Sequence, residues 1–175
     1  MAKLKNIPVD CAFPQLREIV DKRVLAKKLQ RYMGQSFSSG EMYVEGLGKN
    51  HIYYKSGTDC RIRFAAKIRT RHSQEVGEQV FFGRLFHEKS GRAPRRFLNG
   101  RKLTQPKFGP AVMYIPEWAM VLWAYPNDPE LPGLSHLFDG DKVLARMKAE
   151  PARFNFHQSP ISITGKMTKY VPGKY

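Results

Sequence analysis

With 175 residues, 42% hydrophobic and 12% aromatic, the chain can bury one proper core and is too apolar for a disordered tail. Its net charge of +15 points to polyanions: nucleic acid, an anionic membrane surface or phosphorylated small molecules. Cys11 and Cys60 lie far apart without metal-ligand spacing, which speaks against a disulfide framework or structural zinc and for a reducing compartment. No apolar run approaches the roughly 20 residues of a membrane span, and the start has no signal-peptide core, so the cytoplasm is the expected location.

Leu16, Ile19, Val20, Val24, Leu25, Leu29 and Met33 recur at the helical period behind Pro14 and predict one amphipathic helix. Gly34 and the stretch Ser36 to Gly40 end it. Three strands follow, at 41–46, 51–55 and 61–69, joined by turns at Gly46/Gly48 and Ser56-Gly57. From Ser73 to Phe86 the spacing of Val76, Val80, Phe81 and Leu85 predicts a second helix, with Ser73 as its cap and Glu75 and Glu78 inside it. Residues 88–110 are rich in Gly, Pro and Arg and read as a long exposed loop. Ala111 to Ile115 and Ala119 to Tyr125 are further strands, the second apolar enough to be central. A short helix from Asp141 to Ala149 and a strand through Ile161, Ile163 and Met167 complete the pattern. The fold class is α+β: a mainly antiparallel sheet of five to six strands with flanking helices. It divides into a helical segment 1–40, an α+β domain 41–150 and a strand and turn over 151–175, the last read as the start of a truncated further unit.

Gly46-Leu47-Gly48 can bring backbone N–H groups close to a phosphate, although a hairpin needing positive φ explains two glycines equally well. Lys67 ends Phe64-Ala65-Ala66-Lys67 on the third strand, where a compact ammonium on a four-carbon reach suits a nucleotide phosphate. Glu78 is the favoured partner for Lys67 and Glu75 the other; a solvated strand-end lysine and surface glutamates are the plain alternatives. Met120 to Tyr125 fits either an adenine wall or simple core. Between Arg84 and Lys107 stand eight Lys/Arg and a single acid, Glu88. Arg92, Arg95, Arg96, Arg101, Lys102 and Lys107, interleaved with Phe97 and Phe108, form a candidate nucleic-acid patch. The histidines have no metal spacing, and no hydrolase elbow or Walker loop is present.

Strand, glycine turn, strand, lysine strand and glutamate helix is the order of a kinase nucleotide lobe. Tyr53-Tyr54-Lys55-Ser56-Gly57-Thr58-Asp59-Cys60-Arg61-Ile62-Arg63-Phe64 resembles a hairpin of bacterial phosphotransferases related to aminoglycoside phosphotransferases and choline kinases. Trp123 to Leu134 resembles a second segment of that group, and Lys169 to Lys174 repeats the hairpin motif. The resemblance covers about residues 40–175 and implies a kinase N-lobe-like domain. ATP would be held by Gly46, Gly48, Lys67 and Glu78, with Mg²⁺ and catalytic aspartates supplied by a C-terminal lobe or partner chain. The expected activity is that of a phosphotransferase front portion, silent by itself and without catalytic or metal-binding residues of its own. The alternative is a basic nucleic-acid-binding module using the 84–107 loop.

Overall fold

The computed structural model describes residues 9–36, 42–71, 74–87, 103–131, 134, 139–150 and 153. Contacts divide the chain into two units, Met1–Tyr125 and Pro126–Tyr175. The first is α+β, with a six-stranded antiparallel sheet. Its strands are β1 (Met42–Leu47), β2 (His51–Lys55), β3 (Asp59–Thr70), β4 (Val76–Leu85), β5 (Val112–Ile115) and β6 (Met120–Ala124). They lie in the order β1-β3-β4-β6-β5, with β2 also on β3. The long β3 pairs through its first half with β2 and through its second half with β1, so β1 and β2 share one side of it.

The expected single leading helix is two helices, α1 (Leu16–Val20) and α2 (Lys22–Ser36). Asp21 separates them with an extended ψ of 108°. Its carboxylate accepts from the Arg23 N–H at 2.8 Å, so a capping side chain inside the periodic stretch restarts the helix. The apolar stripe survives the break: Leu16, Ile19, Leu25, Leu29 and Met33 are all buried. They share a core with Cys60, Ile62, Phe64, Ala66 and Ile68, every second residue of β3. The short helical turn Pro116–Trp118 between β5 and β6 ties the helices to the sheet. Trp118 Nε1 donates to Glu18 at 2.8 Å, and the Gln15 amide donates to the Trp118 carbonyl at 2.9 Å.

The expected helix over 73–86 is instead β4, with Glu75 just before it and Glu78 on it. Apolar residues at 76, 80, 81 and 85 fit a helical spacing, but the segment is apolar on both sides of a strand. Phe81 and Leu85 face the helix-side core with Gly77 and Gly83, while Val76, Val80 and Phe82 face the other way. Two glycines and two β-branched valines within about ten residues also weigh against a helix. Gly83 has a packing reason: a Cβ there would stand 2.7 Å from both Ile62 Cγ2 and Leu122 Cδ2. The strand expected over 119–125 is β6, fully buried and central between β4 and β5.

In the second unit, the short helix appears as α3 (Gly140–Ala149), capped by the Asp139 carboxylate, which accepts from Lys142 N at 3.2 Å. The strand predicted around 161–167, and the repeat of the hairpin motif after it, lie outside the described residues. Among the described residues no helix is long and apolar enough to cross a membrane.

Candidate functional site

Because β3 alternates so strictly, the face it turns away from the helices is defined by its other residues: Asp59, Arg61, Arg63, Ala65, Lys67 and Arg69. Directly opposed residues of antiparallel neighbours point to the same face. Register therefore places Tyr53 and His51 of β2 beside Arg61 and Arg63. Tyr43 of β1 lies beside Arg69, and Arg84 and Glu78 of β4 lie beside Arg61 and Lys67. Further along this face Phe82, Phe86, Val121 and Trp123 form a second buried apolar cluster, with the Phe82 and Trp123 rings stacked at 5.6 Å.

Two ionic nodes sit at opposite ends of β3 on this face. At the first, one carboxylate serves two guanidiniums: Asp59 lies 2.7 Å from Arg61 Nε and 3.6 Å from Arg84 Nε. Arg61 and Arg84 are directly opposed in the β3–β4 ladder, a like-charge placement that costs stability unless something anionic sits between them. The Arg61 guanidinium also lies 5.7 Å above the Tyr53 ring, and that of Arg84 lies 5.9 Å from Phe86. This node stands at the mouth of the β2–β3 turn, where Gly57 holds φ at +67°, a conformation that glycine adopts without strain. From the helix side the turn is pinned by Asp10, whose carboxylate accepts from Tyr54 Oη at 2.6 Å, Gly57 N at 2.8 Å and Ala12 N at 2.7 Å. The Tyr54 hydroxyl, with the two backbone donors, holds that carboxyl below its ordinary range.

At the second node Glu45 serves Lys67, at 3.1 Å, and Arg69. Glu45 is the extra residue of a β-bulge in β1, which re-aims its side chain across the sheet. Arg69 first, then Lys67, keep its carboxyl below the usual range.

The structure brings three of the four sequence-derived nucleotide residues into one row: Gly46 pairs with Lys67, and Lys67 pairs with Glu78. The row is built by strands alone, so the lysine–helix-glutamate pairing anticipated for Lys67 does not form; its ammonium goes to Glu45. Gly48 closes the row's edge, its N–H donating to the Ala65 carbonyl at 2.8 Å. Neither Gly46 nor Gly48 has a positive φ, and a Cβ on Gly46 would meet nothing within 4 Å. The hairpin-geometry explanation for these glycines thus falls away. Beside them, the Asn50 side-chain amide is buried without a hydrogen-bond partner among the described residues.

Of the basic-loop candidates, Arg92, Arg95, Arg96, Arg101 and Lys102 lie outside the described residues. Lys107 pairs with Glu75 at 2.5 Å. Phe108, expected as an exposed stacking ring, is buried against Gly77, where a Cβ would come within 2.1 Å of the ring. Glu45, Tyr53, Asp59, Arg61 and Arg84 were not singled out from sequence. For Arg61 alone the signal was present, as period-two cations through Arg61-Ile62-Arg63 and Lys67-Ile68-Arg69, legible once the strand's buried face is known.

Among the described residues no three His, Cys, Asp or Glu side chains come together to hold a metal. Asp59 and Glu45 are each already spanned by two cations, so these residues do not fit a Mg²⁺ site. Compared with known proteins, the chain matches no family model, no curated protein and no solved structure.

Proposed function

We propose that the first unit is the nucleotide-facing lobe of a kinase-like small-molecule phosphotransferase, receiving the phosphates of ATP at the Asp59 node. The observation that carries this reading is the placement of Arg61 and Arg84 on adjacent strands, sharing one carboxylate at the mouth of the Gly57 turn. A strand, a glycine turn and a basic strand follow one another in β2, Gly57 and β3, and this hairpin is the one whose residues resemble the phosphotransferase group. Arginine's planar fork suits bidentate contact with phosphate oxygens. The sequence-derived row of Gly46, Lys67 and Glu78 lies at the far end of β3, eight residues from Asp59 to Lys67, or about 26 Å along the strand. In this reading the catalytic aspartates and the Mg²⁺ ligands come from a further lobe or a partner chain, and this unit supplies phosphate binding and orientation.

Calorimetric titration of ATP tests it. The expected result is binding that Arg84→Ala weakens by about tenfold, the loss of one charge-assisted pair, with Lys67→Ala close to wild type. The reverse ranking would return the site to the Lys67 row, and no ATP binding by the wild type would sink the reading.

A further inference from the structure

We propose that the open face of β3 is a track for single-stranded nucleic acid, running from the Asp59 node to the Glu45 node. The inference shares Arg61 with the nucleotide reading and adds the strand beyond it and the far node.

Four cations, Arg61, Arg63, Lys67 and Arg69, project to one face of a single strand. Neighbouring members of the pairs are two residues apart, about 6.7 Å along β3, and the whole series spans about 26 Å. A nucleoside triphosphate covers one node and cannot reach the other. A linear polyanion, with a phosphate on every nucleotide, can engage the series along its length.

The two ends repeat one constellation. Each has an arginine directly opposite an exposed tyrosine: Tyr53, 57% exposed, beside Arg61, and Tyr43, 43% exposed, beside Arg69. Each also has a carboxylate that fixes the arginine together with a second cation. Large aromatic side chains left in water on a sheet face, flanked by guanidiniums, provide stacking surfaces for unpaired bases with a phosphate contact beside each. Bases locked in a duplex offer no such faces, which selects single strands. An acidic polypeptide could match the charge, but it would bring no bases to the exposed tyrosine faces.

Fluorescence anisotropy of a labelled oligouridylate of about 12 nucleotides against the full chain tests the track. Four phosphate contacts predict a log–log salt slope near −3, so affinity falls about 50-fold between 50 and 200 mM salt. Lys67→Gln with Arg69→Gln removes two contacts: the slope halves, affinity at 50 mM salt drops at least tenfold, and ATP affinity is unchanged. Tyr53→Leu weakens the oligonucleotide by about fivefold or more with the slope retained. Circular dichroism melting of each variant is expected to match wild type, which separates lost contacts from lost fold. Oligonucleotide affinity unchanged in the double variant, no dependence on salt, or equal affinity for polyglutamate of the same length would overturn the proposal. Binding of the oligonucleotide without ATP would leave the track standing and remove the nucleotide reading, and ATP without oligonucleotide would do the reverse.

Discussion

The two ends of β3 carry the same ingredients in different surroundings. At the Asp59 end the ion pairs are drawn into the protein, with Asp59 15%, Arg61 23% and Arg84 30% exposed at the side chain. At the Glu45 end Lys67 is 61% and Arg69 39% exposed. Attraction between charges strengthens as water is removed, so the first node is stiff, less screened by salt and suited to hold one phosphate group in a fixed place. The second is wet and screened, suited to a mobile polyanion. Surroundings, and not residue type, separate the two ends.

The largest effect should come from removing the carboxylate at the tight end. Asp59→Ala takes the shared counter-charge from two opposed, half-buried guanidiniums and should cost about 2–3 kcal/mol in urea denaturation. Glu45→Gln at the wet end should move the midpoint little, because exposed pairs contribute little. Inorganic phosphate should raise the midpoint of Asp59→Ala above that of an ionic-strength-matched chloride control, because a bound anion replaces the carboxylate. Equal losses at the two ends would break the comparison.

Next in size is a pair of glycine substitutions. Gly83→Ala, beside Arg84, drives a methyl to 2.7 Å from Ile62 and Leu122 and should cost about 1–3 kcal/mol. Gly46→Ala at the wet end has open space and an ordinary φ, and should stay within about 0.5 kcal/mol of wild type. Thermal melts decide between these outcomes.

The smallest effect sharpens the contrast from outside it. Glu117 joins the helices to the β5–β6 connection through Lys28, at 2.8 Å, and the Tyr32 hydroxyl, which together hold its carboxyl down at about 2. A folded value below the ordinary 4.5 contributes stability above the unfolded value and loses it as pH falls through the folded one. Glu117→Gln should therefore lower stability by less than about 1 kcal/mol at neutral pH, given the exposure of the pair. That difference should shrink between pH 4.5 and about 2, read from denaturation midpoints across that range.

Much of the fold was legible because β1, β2, β3 and β6 have clear turn signals and one dominant hydrophobic pattern. The sequence misread β4 because both faces of that strand are apolar, so its valines and phenylalanines satisfy helix and strand spacing at once. That error carried Glu78 onto a helix and tied the site to Lys67. The row of Gly46, Lys67 and Glu78 was nevertheless found together, for a reason sequence reading does not reach: a cross-strand register fixed by a bulge at Glu45. The Asp59 node stayed hidden because Arg61 and Arg84 are 23 positions apart, and only the β3–β4 pairing opposes them.

The central claim is that phosphate is received at the tight end of this face. It is tested most directly by following the side-chain Nε–H resonances of the arginines by NMR while ATP is added. The account predicts that Arg61 and Arg84 shift first and saturably, with Arg69 moving only at higher, salt-sensitive concentrations. Uniform shifts across all the arginines, or none at Arg61 and Arg84, would contradict it.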